Sequence, residues 1–484
     1  MTIDSWIAHH ASNQPDKPAL IYDDQIISYD QMEAQITARL GLFEAHQIQA
    51  GDRVAFWGLN HPEVFFLLFA CARIGALLVP LNWRLAPAEL ADILADCAPK
   101  LLIHDSQFEE HARALTPCPA LHIADMPAPD NAMIAGQVAH VPKNAPLLIV
   151  YSSGSTGQPK GVVLGQNAIA ANATMSIDAH QMTADDIVLN ILPTFHVGGL
   201  NILPTPAFFL GATVILHKSV DVEACLEDCQ RAHLIITVPT ILGQMVAHQG
   251  WKQIKHSPLR TISIGSTDVP TSLIEAVHET GIPVIQIYGA TETAPFAIYQ
   301  HIDEAFDTIG SIGRQGIACE ISIRGSDNMP VMHGKAGEIC VKGDNILTGY
   351  WQNQHLTDAS ITDGWFHTGD VAYEDENGLF WFVDRIKHVI ISGGENIYPA
   401  EIERILRTHP AIEEVAVVGR PDDRWGEVPV CVLVASEAVS PDALRLFLKD
   451  RLARYKQPHD YIFTDALPRN AMGKVVASTV RDML

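Results

Sequence analysis

Two hydrophobic rhythms take turns along the chain: short apolar runs of strand length, and apolar positions three or four apart. Ser28–Leu40 opens with a serine suited to a helix cap and continues with helical spacing. Arg53–Trp57 then reads as a strand, His61–Ile74 as a mostly apolar helix, and Leu77–Leu81 as a second strand. That alternation predicts a mostly parallel sheet covered by helices. Pro117–Pro146, rich in Pro, Ala and Asp, is a connector leading into the short buried strand Leu147–Val150. Beyond it the pattern predicts a helix over Asn167–His180 behind an Asn cap, and another over Val220–Ala232. Strands are expected over Gly211–Leu216, Leu234–Val238 and Leu259–Ser266.

After Gly310 the texture changes to short strands between Gly and Asn turns, as in IGSIGRQG, CEISIRG and GEICVKG. This is the pattern of a small antiparallel β-subdomain. A domain boundary is expected at Val383–Lys387, VDRIK. The chain then restarts with a Gly-Gly turn, a helix from about Pro399, strands over Val415–Val418 and Val430–Val434, and a helix over Pro441–Arg451. About a hundred residues suffice for a separate α+β domain.

Composition sharpens this picture. At 484 residues, 48% apolar and 18% charged, the chain is long enough for about three domains with sizeable cores. Val197–Leu216 is the longest uncharged stretch, but Pro204, Pro206 and Gly211 interrupt it, so it reads as buried core and not as a membrane span. Acidic residues outnumber basic ones by 56 to 32, a net charge of −24, which disfavours nucleic acid and anionic membranes as partners. Any bound nucleotide would need locally collected cations and a metal. MTIDSWIAHH has no Lys or Arg ahead of an apolar run, so no signal peptide is expected. Cys225 and Cys229 share a helical face with no His or Cys pair nearby in sequence, so the eight cysteines read as reduced cytosolic thiols, and a cytoplasmic location follows.

Chemistry concentrates in Tyr151–Val162, YSSGSTGQPKGV. Gly154 and Gly157 let the backbone approach an anion closely. Ser152, Ser153, Ser155 and Thr156 supply hydroxyl donors, and Lys160 supplies a mobile charge. A solvated Ser/Gly loop would have the same composition, but Pro159 and Lys160 stiffen and charge its end, and the apolar Val162–Leu164 resumes at once. The spacing does not fit a Walker loop.

Further on, LPTFHVGGLN places His196 beside Gly198 and Gly199, either as a core histidine or next to a ligand. LRTISIGS ends a strand in the small residues Gly265, Ser266 and Thr267, which suits a crevice for a flat ligand. A strand runs into Tyr288-Gly289-Ala290-Thr291-Glu292-Thr293. Glu292 is either a solvated loop carboxylate or a hard oxygen ligand for Mg²⁺. DGWFHTGD contains Asp370, and LPRNAMGKVV contains Lys474.

Taken in order, these segments resemble the signatures of the AMP-forming adenylate superfamily, in its acyl-CoA synthetase and coumarate–CoA ligase-like branch. The resemblance covers almost the whole chain through the phosphate loop, YGATE, TGD with DRIK, and the terminal Gly-Lys. The family usually has Gly-Gly-Ala or Ser-Gly-Ala where this chain has Ile264-Gly265-Ser266. The resemblance implies an α/β fold with a large N-terminal domain, residues 1–384. It would hold two βα-type sheets covered by helices plus the β-subdomain, followed by a small mobile α+β lid, residues 385–484. It also implies ATP, Mg²⁺ and coenzyme A: a carboxylic acid is adenylated with release of pyrophosphate, and a thiol then displaces AMP.

In that scheme Ser152–Gly157 and Lys160 hold phosphates, Tyr288–Ala290 receive the adenine, Gly265–Thr267 lie near the adenine or the substrate, and Thr291 donates to a phosphate or carboxylate oxygen. Glu292 holds the metal, Asp370 grips the ribose with Arg385 nearby, Lys474 catalyses adenylation, Lys387 is the pivot, and Gly393 and Gly394 flank the pantetheine channel. His196, Gly198, Gly199, Gly265, Ala290, Ala294, Pro295 and Phe296 would line an apolar acid pocket. No Lys or Arg lies within these motifs, which disfavours malonate-like substrates and leaves aromatic and medium-chain monocarboxylates. Loading of a carrier protein and a non-catalytic nucleotide-binding regulator are the alternatives. The protein is expected to be a monomer or homodimer acting on small molecules, with no membrane span.

Overall fold

The helix expected from Ser28 forms as Tyr29–Ala45 and is fastened by a capping box. Gln31 N–H donates to Ser28 Oγ at 3.2 Å, and Gln31 Oε1 accepts from Ser28 N–H at 2.9 Å. The apolar segment behind it forms Glu63–Ile74, in which every residue from Glu63 to Arg73 is buried. Its one buried carboxylate, Glu63, is matched by Arg39 at 2.8 and 2.5 Å. A helix apolar on all sides must be covered on all sides. Here Phe65 and Phe69 meet Phe208 edge-on, and Trp6 packs on Phe69 and Phe209.

The computed structural model describes residues 2–115, 118–129, 141–153, 159–265, 269–392, 395–422, 424–449, 451–470 and 473–484. The chain divides into two compact units: Met1–Ile321 with Val341–Phe366, and Ser322–Cys340 with His367–Leu484. Among the described residues the first unit holds two sheets. One has nine strands in the order Arg314–Gln315, Ile298–Tyr299, Val284–Tyr288, Thr261–Gly265, Leu234–Thr237, Ile187–Asn190, Thr213–Leu216, Pro18–Tyr22 and Gln25–Ser28. Its central members from Val284–Tyr288 to Pro18–Tyr22 are parallel. The other has seven, in the order Gly349–Tyr350, Pro159–Gly165, Pro146–Ser153, Leu77–Pro80, Arg53–Trp57, Leu101–His104 and Ala120–His122.

The expected core stretch Val197–Leu216 resolves into helices Val197–Asn201 and Pro204–Leu210 and strand Thr213–Leu216. Among the described residues no helix is long and apolar enough to cross a membrane. Two expectations change. The helix Gln166–His180 is preceded by Gly165 at its cap, and Asn167 lies inside the first turn with Nδ2 donating to Asp344 O at 3.4 Å. The connector contains an edge strand, Ala120–His122, paired in parallel with Leu101–His104; three residues are too few to show an alternation.

The β-subdomain expected after Gly310 is a five-stranded sheet ordered Cys319–Arg324, Gly337–Gly343, Trp365–Glu374 and Ile361–Thr362, with Phe380–Arg385 also paired to Trp365–Glu374. In the second unit a further sheet runs Glu395–Ile397, Ile390–Ser392, Gly426–Ala435 and Ile412–Asp422, with Asp460–Phe463 parallel to Gly426–Ala435. Both faces of this sheet are covered. Val415 and Val417 pack with Ile402, Leu406, Leu444 and Leu448, while Ala416 and Val418 pack with Leu467 and Val480. Continuous burial explains why this strand reads as an unbroken apolar run. The expected boundary Val383–Lys387 lies inside the second unit, where Phe380–Arg385 gives way to the 3-10 turn Ile386–His388.

Candidate active site

In the first unit, candidate residues gather where parallel strands end, the usual ligand crevice of an open α/β sheet. Thr261–Gly265 and Val284–Tyr288 run side by side with Gly265 opposite Ile287. A Cβ on Gly265 would strike the Ile287 carbonyl, so the two strand ends close tightly only because residue 265 has none. Tyr288 stands half-buried at the next position. The chain then turns: Thr293 Oγ1 accepts from Ala290 N–H at 2.8 Å, and a Cβ on Gly289 would collide with Pro295 O.

This turn presents Glu292, held at both ends of the residue. Its carbonyl accepts from Leu347 N–H at 2.8 Å, and its carboxylate Oε1 accepts from the Tyr350 hydroxyl at 3.0 Å. Tyr350 lies in a two-residue strand paired with Val162, just past the phosphate hairpin. In that hairpin Ser152 faces Lys160 and Ser153 faces Pro159, and the Lys160 ammonium sits 5.9 Å from the centre of the Tyr350 ring. Burial, then the Glu292 carboxylate, pushes the Tyr350 phenol above its ordinary range. Lys160, Tyr350 and Glu292 therefore form one connected group. Gly154, Ser155, Thr156 and Gly157 of the expected cradle lie outside the described residues, as do Ser266, Thr267, Gly393 and Gly394.

The His196 segment is braced from below. Asn60 Nδ2 donates to Leu192 O at 3.0 Å and His217 O at 2.9 Å, and its Oδ1 accepts from Thr194 N–H at 2.8 Å and Thr194 Oγ1 at 3.1 Å. His196 is half-buried with its ring 4.5 Å from that of Phe195. Of the two glycines expected to leave space beside it, Gly198 has open surroundings. Gly199 instead lies against the carbonyls of Leu192 and Pro193, so its missing side chain serves chain packing. Asn201 Nδ2 donates to Ala294 O at 3.2 Å, which ties this segment to the Glu292 turn. Ala294, Pro295 and Phe296 are buried, and the Phe296 ring packs on His180 and Tyr299 within the core. The fold also brings a cation that the motifs lack: the Arg84 guanidinium lies 5.0 Å from the Trp83 ring centre and 5.8 Å from that of Phe195.

In the second unit, Asp370 and Arg385 are paired across adjacent antiparallel strands, with Arg385 Nε 2.9 Å from Asp370 Oδ1. Asp370 is 5% exposed, and a buried carboxylate of this kind is retained only with such partners. Lys474 follows Gly473, whose φ of +76° closes the turn, and Lys474 N–H donates to Asn470 Oδ1 at 3.0 Å. Burial pushes the Lys474 ammonium below its ordinary range, Arg385 lowers it further, and Asp370 opposes both. Lys474, Arg385 and Asp370 thus share one electrostatic neighbourhood. Lys387 is exposed in the 3-10 turn that follows.

Two of the described residues have the chemistry of the groups that the resemblance implies. Among the described residues the Glu292 carboxylate takes one hydrogen bond, on Oε1, and is a hard oxygen donor of the type Mg²⁺ prefers. Asp370 is a carboxylate acceptor suited to paired hydroxyls. Sequence reading missed Tyr350, Asn60 and Arg84. Tyr350 lies in a strand too short to show a pattern, Asn60 acts through tertiary contacts alone, and Arg84 belongs to a loop far from Phe195 in sequence.

The chain belongs to the AMP-binding enzyme family: residues 7–351 match that family, and residues 401–474 match the AMP-binding enzyme C-terminal domain. It is 43% identical to an indoleacetate–CoA ligase of Aromatoleum aromaticum, with 100% of this chain and 98% of that one covered. It is 36% identical to a feruloyl-CoA synthase of an Amycolatopsis species, over 99% and 98% of the two chains. Among solved structures it resembles the o-succinylbenzoate CoA synthetase (MenE) of Bacillus subtilis at 31% identity, covering 99% of this chain. The TM-score is 0.89 for that enzyme with its acyl-adenylate intermediate OSB-AMP, covering 98% of that chain, and 0.88 with ATP and magnesium ion, covering 99%.

Proposed function

We propose that this chain is an ATP-dependent carboxylic acid–CoA ligase that works through an acyl-AMP, with an aromatic monocarboxylate as its acid. The observation that carries the reading is the Asp370–Arg385 pair, a carboxylate suited to a ribose, together with a half-buried Lys474 whose ammonium is pushed below its ordinary range by burial and Arg385. The names of the relatives at 43% and 36% identity favour an aromatic acid over a medium-chain one. Residues 385–484 form the lid, which pivots at Lys387, and Gly393 and Gly394 border the pantetheine channel. The enzyme is cytoplasmic and acts on small molecules.

A carboxylate is a poor electrophile, and ATP is itself an anion. The first task of the site is therefore to hold like charges together and to answer the charge that builds on the α-phosphoryl oxygens. Lys160 and Ser152 receive phosphates, Lys474 neutralises charge at the reacting phosphoryl group, and Asp370 fixes the ribose. Glu292 would hold Mg²⁺, which supplies Lewis-acid neutralisation of the phosphates. His196 and Gly198 border the acid. Adenylation makes the acyl carbon attackable by the thiol, and AMP then leaves.

A pyrophosphate-release assay tests this with indole-3-acetate, ferulate, benzoate, 2-succinylbenzoate and C4–C12 fatty acids, followed by thioester detection with free CoA. Aromatic acids are expected to exceed the fatty acids. Turnover of fatty acids alone would overturn the acid assignment, and acyl-AMP that never passes to free CoA would favour a carrier protein. Rapid turnover of 2-succinylbenzoate that is lost in Arg84→Ala would show that the cation beside Phe195 admits a second carboxylate.

A further inference from the structure

One cluster of chemistry-bearing side chains takes no part in that scheme. Glu338 and Cys340 are two residues apart on Gly337–Gly343, so their side chains leave the same face of that strand. The neighbouring strand Trp365–Glu374 contributes His367, and the two strands are fastened between these residues by Thr368 Oγ1, which donates to Ile339 O at 2.7 Å. His367 Nδ1 is 2.8 Å from Glu338 Oε2 and 3.4 Å from Cys340 Sγ. One donor atom from each of the three lies within 4.8 Å of the others, and among the described residues this is the one such grouping.

We propose that Glu338, Cys340 and His367 form a binding site for a zinc-class divalent cation, distinct from the magnesium position at Glu292. Zinc bonds of about 2.0–2.3 Å at tetrahedral angles place donors roughly 3.3–3.7 Å apart. The observed spacings reach that set by small side-chain rotations. Thiolate, imidazole and carboxylate together select a borderline cation such as Zn²⁺ or Co²⁺ over Mg²⁺. Three protein ligands leave a fourth position for water. The His367 and Glu338 side chains are 21% and 19% exposed, so water and the ion can reach the site from one side, while Cys340 forms its buried floor. Outer support is already in place: Glu338 Oε1 accepts from Gly369 N–H at 2.9 Å, and Gly369, with φ +71°, directly precedes Asp370.

Binding balances simply. The thiol proton of Cys340 leaves to water, and the His367 Nδ1 proton that bonds Glu338 passes through water to Nε2, so one proton is released for each ion bound. The imidazole is then protonated at Nε2, and Glu338 turns Oε2 from the imidazole to the ion while Oε1 keeps Gly369. An ion here ties two strands together immediately before Asp370.

The test uses the full chain without substrates, so its outcome is independent of the ligase reading. Co²⁺ is titrated, and the thiolate-to-cobalt absorption band is read in wild type, Cys340→Ser and Glu338→Gln, with thermal midpoints measured with and without Zn²⁺. We expect one equivalent of band in the wild type and none in Cys340→Ser. Loss of one ligand should weaken Zn²⁺ affinity by at least about 10–100-fold. Zn²⁺ should raise the midpoint of wild type but not of Cys340→Ser, whose midpoint without metal should match wild type and so report a folded chain. No band in the wild type, or a band that survives in Cys340→Ser, would overturn the site. The second result would move the thiolate elsewhere, for instance to Cys225, whose Sγ is 3.7 Å from His217 Nδ1.

Discussion

Replacing Asn60 with alanine removes four hydrogen bonds at once, and the consequences can be worked out partner by partner. Leu192 O keeps a second donor, Asn190 Nδ2 at 3.2 Å, and the Thr194 hydroxyl can rotate to another acceptor. Two backbone groups, His217 O and Thr194 N–H, lose their side-chain partner close to a residue that is 4% exposed. Each stranded group costs about 1–3 kcal/mol. Water entering the vacated volume recovers part, so a loss of about 3 kcal/mol is expected, to be read by urea unfolding. Asn60→Asp should be worse than alanine, because it aims a carboxylate oxygen at two carbonyls. The functional effect should be selective. The bonds brace Leu192–Thr194 beneath His196 and leave the nucleotide residues untouched, so the KM for the acid should rise several-fold more than the KM for ATP. A stability loss below about 1 kcal/mol, or equal changes in both KM values, would refute the bracing argument.

Lys474→Ala should slow pyrophosphate release by about 10²–10³, the size expected for one preorganised charge donor. It should leave thiolysis of supplied acyl-AMP nearly intact, and single-turnover assays of each half-reaction separate the two. Because burial and Arg385 depress the Lys474 ammonium, adenylation should fail on its alkaline side at a lower pH than an ordinary lysine would allow, and Lys474→Arg should extend activity to higher pH. Tyr350→Phe keeps the ring beneath Lys160 but removes the hydroxyl from Glu292, so the Mg²⁺ concentration for half-maximal rate should rise about 5–30-fold while folding stability barely changes; an unchanged Mg²⁺ requirement would dismiss Tyr350 as an organiser of the metal ligand. His61 and His180 are both lowered to about 4 by burial, so the unfolded chain binds more protons than the native one between about pH 6.5 and 4. Stability should therefore fall as pH drops through that window, by up to about 1.4 kcal/mol per pH unit for each histidine, and His180→Gln should flatten the slope.

Local signals were legible where local physics decides. Ser28 with Gln31 announces its helix because a capping box is built from residues three apart, and Glu63–Ile74 shows in its apolar run that it is enclosed on all sides. The YGATET turn follows its strand as the pattern suggests, and the close approach of Pro295 O explains the glycine at 289. What escaped is long-range. Asn60 reaches residues 132 and 134 positions away, and Tyr350 reaches Glu292 across 58, so no window of sequence contains either relationship. Gly199 shows the converse, a glycine beside a candidate ligand residue whose job is to let backbones touch.

The carboxylate of Asp384 accepts from Arg385 N–H at 2.6 Å through Oδ1 and from Ala400 N–H at 2.8 Å through Oδ2. The second bond caps the first turn of helix Pro399–Leu406 from a position just ahead of the proposed pivot. If residues 385–484 turn about Lys387, that helix must let go of Asp384, and each return must fasten it again. A cap of this kind is worth about 0.5–2 kcal/mol, which corresponds to roughly a two- to thirty-fold change in dwell time. Asp384 would then set how long the lid stays in the orientation that this bond holds, and a weaker fastener would shorten that stay without touching either reacting centre.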